Sequence, residues 1–400
     1  MSSPFLVVMK SSPALTAPGT PVAPIATGRL VSLDALRGFD MFWIMSGEHI
    51  IHALAKATGW PVLLWMSSQL HHVDWNGCTF YDMIFPLFLF IAGVSMPYSL
   101  QGKLKRAGLD SAEQLSFADK RPIYQSMLRR TLILIFLGMV VNGLFAFKGY
   151  EQTRFASVLG RIGLAWLGAG IIFLNTSTRG QIIAALLILL GYWAALILIP
   201  VPGFGAGVLT PEGSLTSYID RLFLPGKLHR TVYDPEGLFS TVPAIATALL
   251  GMLTGTLLKD VRRSMQQKTL MMLGLGIGLI LLGLLWDQVF PINKRLWTSS
   301  FTVYVGGWSL IFLAVFYYII DVQGFQKWAF PFVLIGTNSI LIYLASDGIV
   351  DFAHTAHFLF DGFSQFFILP WQPVIQALAV TAVQLSLLYV LYRNKLFLKI

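Results

Sequence analysis

Long apolar runs separated by short polar segments make up most of this 400-residue chain. A helix needs about 20 apolar residues to cross a bilayer. Runs of that kind can be placed at 31–52, 79–100, 128–147, 156–174, 182–200, 239–258, 269–287, 301–320, 330–345 and 373–392. Because helices satisfy their own backbone polar groups in lipid, the pattern predicts an all-α, polytopic integral membrane protein with about ten transmembrane helices.

The composition agrees with that class. Hydrophobic residues make up 56% of the chain and charged residues 12%, about half the charge of an ordinary soluble domain. The segment 1–28 is rich in Ser, Pro, Ala and Thr and lacks a spanning apolar core, so it predicts a flexible cytoplasmic tail. Residues 29–400 are predicted to form one membrane domain. A single cysteine, Cys78, excludes an intrachain disulfide.

The distribution of basic residues predicts the orientation. If the N-terminus is cytoplasmic, 18 Lys and Arg residues fall in cytoplasmic segments and 8 in outer segments, leaving out two within or at the edge of spans. This split fits the positive-inside rule, so both termini are expected in the cytoplasm. The net charge of +9 is then mainly a topology signal. No compact basic and aromatic patch indicates a nucleic-acid partner, and the bilayer is the expected surroundings.

The stretch from His71 to Ser95, HHVDWNGCTFYDMIFPLFLFIAGVS, carries the strongest chemical signal. It places two histidines, a tryptophan and an asparagine directly before a spanning run that itself contains Asp82. A charge within a membrane helix costs about 2.5–3.5 kcal/mol on insertion scales, which makes Asp82 a candidate functional residue. Histidine exchanges protons near neutral pH. The stretch therefore predicts proton-transfer chemistry at one membrane face.

Further polar residues lie in or beside other spans. The first span holds Asp34, Arg37, Asp40 and Glu48, and interior ion pairing explains the first two equally well. Two long outer segments, 202–238 and 346–372, are predicted to be loops that cap a site. His354 and His357 are three residues apart, but no third ligand has suitable spacing, and no metal site is predicted.

The remaining candidates each have a structural alternative. Arg154 suits interfacial snorkelling, whereas Arg161 lies deeper in its span. In YDPEG, Asp234 as a helix N-cap and Glu236 in the first turn would explain both residues without any function. In GTNSILIYLASDG, the candidates Asn338, Ser339 and Asp347 share one helix, where Asn and Ser also serve to bind neighbouring helices.

These features together suit acyl transfer across the membrane. Histidine and carboxylates on the outer face can deprotonate an amine or hydroxyl acceptor before it attacks a carbonyl. Basic residues on the cytoplasmic face suit a phosphate-bearing donor such as a coenzyme. The chain contains neither a nucleotide-binding Gly-rich loop nor a GxSxG serine elbow.

Several motifs closely resemble those of the bacterial relatives of heparan-α-glucosaminide N-acetyltransferase. The matching stretches include SLDALRG, H-x-x-W-N-G-x-T, R-x6-R, YDPEG, INKRLW and GTNSILIYL, in order, between Arg29 and Ile400. The resemblance implies an inner-membrane acyltransferase that takes acetyl from cytoplasmic acetyl-CoA, without a metal. It delivers the acetyl group to an amino sugar or glycan on the outer side, and it allows a homodimer.

The resemblance identifies His72, three residues before Trp-Asn-Gly, as the catalytic histidine. His72 would either remove the acceptor proton or carry the acetyl group, with Asp82 orienting it and Asn76 or backbone amides stabilising the oxyanion. The acceptor would be bound by Glu48, Trp75, Arg154, Arg161, Glu236, Asn338, Ser339 and Asp347. The phosphates of acetyl-CoA would be held by Arg37, Arg129, Arg130, Arg262 and Arg263.

One departure and two alternatives accompany this interpretation. Where the animal enzyme has an asparagine late in the first core helix, this chain has Ser46-Gly47-Glu48, which bears on the acceptor. A sugar transporter is the main alternative, although nothing in the second half repeats H-x-x-W-N-G before a span. A structural subunit would leave His72 and the long outer segments without a purpose.

Overall fold

The computed structural model describes residues 30–107, 115–147 and 149–398. The predicted tail, 1–28, lies outside the described residues. Within the described ranges the chain is helical and forms no β-strand, only three isolated β-bridges. The all-α prediction is confirmed.

The described part of the chain contains fifteen α-helices, with π-helical turns at three places. They are α1 (Val31–Phe42), α2 (Glu48–Thr58), α3 (Pro61–Gln69), α4 (Phe80–Ala107), α5 (Phe117–Val141), α6 (Val158–Asn175), α7 (Thr178–Leu198), α8 (Leu215–Phe223), α9 (Thr241–Lys259), α10 (Met265–Asp287), α11 (Ser299–Tyr317), α12 (Phe330–Thr337), α13 (Ser339–Leu344), α14 (Phe352–Ser364) and α15 (Gln372–Arg393). The π-helical turns are Trp43–Gly47, Tyr318–Val322 and Ala345–Ile349.

Among the described residues, eight helices are long and apolar enough to cross a membrane, or nine if one bent pair counts as a span. The bent pair, Lys327–Thr337 with Ser339–Asp347, turns by 65° and matches the short ninth predicted span. The first predicted span corresponds to α1, a π-helical turn and α2, a polar segment that is not among the eight. The protein is therefore an integral membrane protein with close to the predicted number of spans.

Three local expectations are wrong. The third span begins at Phe117 and not near 128, because Ser116 caps α5 by accepting a hydrogen bond from Asp119 N. The segment 346–372 is largely helical, since it contains α14. Asp234 does not cap the sixth predicted helix: α9 begins at Thr241, well after YDPEG. The polar residues that suggested loops and caps at these places are used within helices or in ion pairs instead.

Close helix contacts define the compact unit formed by Gln69–Val315. Glycines on α4 and α9 allow the two backbones to touch: a Cβ on Gly93 would lie 2.3 Å from Ala248 O, and one on Gly251 would lie 2.1 Å from Phe90 O. Helix association in lipid depends on such close packing of small residues. The helix that begins beside the HHVDWNG segment is thus fixed against α9.

Among the described residues, the second compact unit combines 30–68 with 316–398. Glycines again mediate the main helix contact, here between α1 and α12. A Cβ on Gly38 would lie 1.7 Å from Phe332 O, and one on Gly336 would lie 2.0 Å from Asp34 O. In this unit Arg37 Nη1 donates to Asp34 Oδ1 over 3.4 Å, as the three-residue spacing allows.

We expect Gly251→Ala to destabilise the protein, because its methyl group would overlap the backbone of α4. Overpacking of this kind costs about 1–3 kcal/mol. The matched control is Gly278→Ala in α10, where no atom lies within 4 Å of the added Cβ. Thermal unfolding in detergent should show a lower midpoint for Gly251→Ala and an unchanged or higher one for Gly278→Ala. Equal midpoints would contradict the close contact.

Candidate functional site

The site is built around a contact between a histidine and a buried carboxylate. His72 Nδ1 lies 2.6 Å from Asp82 Oδ1, because the segment before α4 folds back over the first turn of that helix. The Asp82 side chain is 1% exposed, whereas that of His72 is 37% exposed. A carboxylate on Nδ1 favours the tautomer that leaves Nε2 with its lone pair. Within the described ranges, no protein group is hydrogen-bonded to Nε2.

The other oxygen of Asp82 is held by the chain immediately before the helix. Asp82 Oδ2 accepts hydrogen bonds from Thr79 Oγ1 at 3.0 Å, from Thr79 N at 3.2 Å and from Val73 N at 3.4 Å. Buried carboxylates need such donors, because an unpaired charge away from water is costly. Asp82 therefore fixes both the start of α4 and the orientation of His72.

Lys294, from the connection between α10 and α11, completes the cluster. Its Nζ lies 3.3 Å from Asp82 Oδ1 and 3.2 Å from His72 Nδ1. The Lys294 side chain is 11% exposed. Burial lowers the pKa of the Lys294 ammonium group, and the Asp82 carboxylate opposes that change. Sequence reasoning missed Lys294, although it stands inside the quoted motif INKRLW.

Two segments distant in sequence are joined beside this cluster. Gly77 N donates to Ile292 O at 2.7 Å, and Asn293 Nδ2 donates to Asn76 Oδ1 at 3.0 Å. The predicted oxyanion donor Asn76 thus uses its side-chain oxygen to hold the Lys294 segment. A positive φ of 108° at Gly77 permits the sharp turn that this pairing requires.

Trp75 is held by the long segment between α7 and α9. Its Nε1 donates to Leu209 O at 2.8 Å, and its ring packs edge-on against Tyr233 with 5.3 Å between centroids. This segment also contains the short helix α8. The predicted outer loop is therefore structured, and Trp75 connects it to the His72 segment.

Arg154 joins two acidic residues of the YDPEG motif. Its Nε and Nη2 donate to Asp234 at 2.8 and 2.6 Å, and Nη2 also donates to Glu236. Burial alone would raise the pKa of Asp234, but the bonds from Arg154 hold it below its usual value. Asp234 is thus one half of a bidentate ion pair, which explains why it does not cap a helix.

Arg161 is fully enclosed near the start of α6. Its Nη2 donates to Ser240 Oγ and, at 3.4 Å, to Gly237 O, and its guanidinium lies 4.9 Å from the centre of the Trp297 ring. Glu236, Asp220 and Asp234 supply negative charge that compensates its guanidinium. Arg161 therefore lies in the interior, as its deeper position in the span suggested. The interfacial snorkelling expected for Arg154 is wrong, because its side chain is paired with Asp234 and Glu236.

The single cysteine lies within the same segment as His72. Burial, reinforced by the charge of Asp82, raises the pKa of the Cys78 thiol. A thiol that stays protonated is a poor nucleophile. The Cys78 thiol is therefore poorly suited to nucleophilic attack.

The other compact unit contains a cavity of about 570 Å³ between α2, α14 and α15. Ser46, His49, Ser346, His357 and Gln384 are among the residues that line it. Gln384 connects two of the π-helical turns, since it accepts from Ser46 Oγ and donates to Ser346 Oγ at 3.1 Å. π-Helical turns occur frequently at functional sites.

The four acceptor candidates of this unit do not line that cavity. Glu48 and Asp347 each stand one position from a lining residue, and Asp347 is exposed. Asn338 instead donates to Leu396 O at 3.0 Å and accepts from Leu398 N, so it holds the C-terminal segment. Ser339 is buried at the start of α13.

The structure places the basic candidates in different surroundings. Arg37 is paired within α1. Arg129 and Arg130 lie in the interior of α5. At 1.5 Å per residue they are about 18 Å along the helix axis from its first residue, Phe117, and not at the helix end where a donor would enter. Arg130 lies over the Trp166 ring at 4.4 Å. Arg262 and Arg263 both pair with Asp260 in the turn between α9 and α10, with side chains 86% and 45% exposed.

The residues before α4 and the α5–α6, α7–α9 and α10–α11 connections thus form one polar cluster, referred to below, after its predicted side of the membrane, as the outer cluster. It contains His72, Asp82, Lys294, Arg154, Asp234 and Glu236. Its one half-exposed base is positioned by a buried acid, an arrangement that suits general-base or nucleophilic chemistry. Among the described residues no group of three or more His, Cys, Asp or Glu side chains is arranged to hold a metal ion.

Fold and site together define a polytopic α-helical membrane protein with a carboxylate-oriented histidine at the start of one span. The chain belongs to the heparan-α-glucosaminide N-acetyltransferase catalytic family, whose model matches residues 29–284. It is similar to the heparan-α-glucosaminide N-acetyltransferases of Mus musculus and Homo sapiens, at 28% identity over 385 residues and 82% of this chain. The chain spans 56% and 55% of the length of these two relatives.

Asp220 in the α7–α9 segment makes stability depend on pH. Burial raises the pKa of this carboxyl group to about 7, although Leu238 N donates to Oδ1 and Arg161 lies nearby. The folded protein therefore retains a proton that the unfolded chain loses above its ordinary pKa of 3.8. Stability should fall as pH rises from about 4 through about 7.

We expect the thermal midpoint to fall between pH 5 and pH 8.5 in the wild type and to change much less in Asp220→Asn, which mimics the protonated acid. The matched control is Glu212→Gln, an exposed acid of the same segment, which should keep the wild-type pH dependence. A wild-type dependence that persists in Asp220→Asn would assign it to another group.

Proposed function

We propose that this protein is a membrane acetyltransferase that moves acetyl from cytoplasmic acetyl-CoA to an amino sugar, or a glycan containing one, on the extracytoplasmic side. The contact between His72 and Asp82 is the observation that carries the proposal, because it provides an oriented base in a chain of this family. The printed name of the two relatives describes N-acetyl transfer to a glucosaminide. An acceptor of the same chemical class is therefore proposed here.

His72 Nε2 is the atom assigned to the reaction. An acceptor amine is largely protonated at neutral pH and must lose a proton before it attacks. In the direct route, the acceptor first loses one proton to water. The neutral amine nitrogen then bonds to the acetyl carbon while Nε2 takes a second proton from it, the carbon–sulfur bond breaks, and coenzyme A leaves as a thiolate. Asp82 compensates the positive charge that forms on the ring.

A two-step route uses the same residues. Nε2 first attacks the thioester carbon and displaces the thiolate, which leaves an acetylated imidazole. The neutral acceptor nitrogen then attacks that acetyl group, the bond between Nε2 and the acetyl carbon breaks, and the proton lost by the acceptor nitrogen passes to the released Nε2. Both routes need a ring that is uncharged at the start and a carboxylate that stabilises the charged ring.

The donor phosphates require exposed cations on the opposite face. Arg262 and Arg263 fit this role better than Arg129 and Arg130, because they lie in a connecting turn and are exposed. Their shared partner Asp260 is itself at the surface, so a phosphate can replace it with little desolvation cost. We assign Arg262 and Arg263 to the phosphates of acetyl-CoA.

The acceptor is assigned to the side that carries the outer cluster. Glu236 offers a carboxylate for the ammonium or hydroxyl groups of an amino sugar, and Arg154 holds it in place. Trp75 presents an apolar face of the kind on which sugar rings stack.

We expect His72→Ala to lower acetyl transfer at least about 100-fold, because the reaction loses its base or nucleophile. Purified protein in detergent, radiolabelled acetyl-CoA and glucosamine oligosaccharides provide the assay. His71→Ala is the matched control and should retain most of the activity. Full activity of His72→Ala would remove this residue from the mechanism.

The proposed sidedness can be tested with single cysteines in a Cys78→Ser background. Glu212→Cys lies in the α7–α9 segment and Gln266→Cys at the start of α10, and both native side chains are exposed. An impermeant thiol reagent should label Glu212→Cys on intact cells and Gln266→Cys only after permeabilisation. The reverse pattern would place the outer cluster in the cytoplasm.

A further inference from the structure

Three ionisable groups of the outer cluster meet at one oxygen atom. Asp82 Oδ1 lies 2.6 Å from His72 Nδ1 and 3.3 Å from Lys294 Nζ. The two nitrogen atoms are themselves 3.2 Å apart. One carboxylate therefore serves two groups that can both be positively charged.

The burial of Asp82 determines which of the two neighbouring groups carries the compensating positive charge before the reaction. Asp82 is 1% exposed, so its negative charge needs a compensating cation nearby. A neutral imidazole offers a hydrogen bond but no charge, whereas the Lys294 ammonium group supplies a full charge at the same oxygen. With Lys294 in place, the carboxylate is already neutralised and a second cation beside it is opposed by repulsion.

We propose that Lys294 is a positioning residue that neutralises Asp82 and thereby keeps the His72 ring uncharged until the reaction begins. The significance of this role for catalysis rests on the proposed function. The ring then keeps the Nε2 lone pair that either route requires. Asp82 remains hydrogen-bonded to Nδ1, so the same carboxylate still stabilises the charge that forms during transfer.

The surrounding groups act mainly on Lys294. Glu236 favours its charged form and Arg295 opposes it. Tyr81 packs against the His72 ring with 4.9 Å between centroids. The charge of Asp82 raises the pKa of the Cys78 thiol, and the charge of Lys294 lowers it. Among the described residues, the charged side chains seen in contact with His72 are those of Lys294 and Asp82. The two have opposite effects on it.

The charge on His72 can be measured without any enzymatic activity. Diethyl pyrocarbonate modifies uncharged imidazole, and mass spectrometry of the peptide that carries His72 gives its reactivity in the full-length protein at each pH. Lys294→Met should raise the pH of half-maximal reactivity by about one unit or more, because Asp82 then stabilises only the charged ring. Asp82→Asn should shift it in the opposite direction.

Three further variants make the result decisive. Lys294→Gln keeps a polar side chain without the charge and should reproduce the shift, which separates charge from packing. Lys294→Arg should restore the wild-type profile. Arg295→Met removes the adjacent cation, for which the described part of the chain shows no ion pair to Asp82, and should shift the profile far less. An unchanged profile in both Lys294→Met and Lys294→Gln would overturn the proposal.

Acetyl transfer supplies the second measurement. In Lys294→Met, kcat should fall about tenfold at neutral pH and recover above pH 8, with KM for acetyl-CoA changed less than about twofold, as expected when ring charge limits the rate. Inactivity of Lys294→Met and Lys294→Arg at every pH would make the lysine the reacting group and overturn the proposal. A wild type that transfers no acetyl would refute the proposed function, while the modification experiment still decides the role of Lys294.

Discussion

The burial of one carboxylate organises the reactive face of this protein. Asp82 begins a membrane helix and is closed off from water, so each of its oxygens needs donors from the chain. The backbone N–H groups of Thr79 and Val73 donate to Oδ2. His72 and Lys294 contact Oδ1. The segment before α4 must fold back for this, and the α10–α11 connection must reach across. Both connections owe their conformation to the same negative charge.

The α7–α9 segment repeats the same principle on a larger scale. Arg154 pairs with two acids of YDPEG, and Arg161 is enclosed beside Ser240. Ion pairs of this kind cost desolvation, and they are kept where they determine a specific arrangement. Together with the hydrogen bond from Trp75 to Leu209 O, these interactions hold the long α7–α9 connection in one conformation. The segment that carries His72 is therefore held against this connection through Trp75.

The sequence predicted most of the spans because apolar length alone indicates a membrane helix. It also indicated Asp82 and the pair His71 and His72, since their motif stands directly beside a span, and the family resemblance then selected His72. Lys294 was not predicted, because the residues it contacts, His72 and Asp82, are more than two hundred residues away in sequence. Asp234 was misinterpreted because its spacing fits a local N-cap, while its actual partner, Arg154, is 80 residues away. Local patterns indicate elements and reactive residue types, whereas pairing between distant segments depends on the tertiary fold.

The glycine contact between α4 and α9 has a consequence for how the reactive face responds to the bilayer. Two helices whose backbones touch through Gly93 and Gly251 cannot slide or rotate past each other without a steric clash. Asp82 stands at one end of α4, and the YDPEG segment leads into α9 at the corresponding end. Changes in membrane thickness are therefore absorbed by tilt of the pair as a whole. We therefore expect the spacing between the histidine and the acidic motif to be the same in thin and thick membranes.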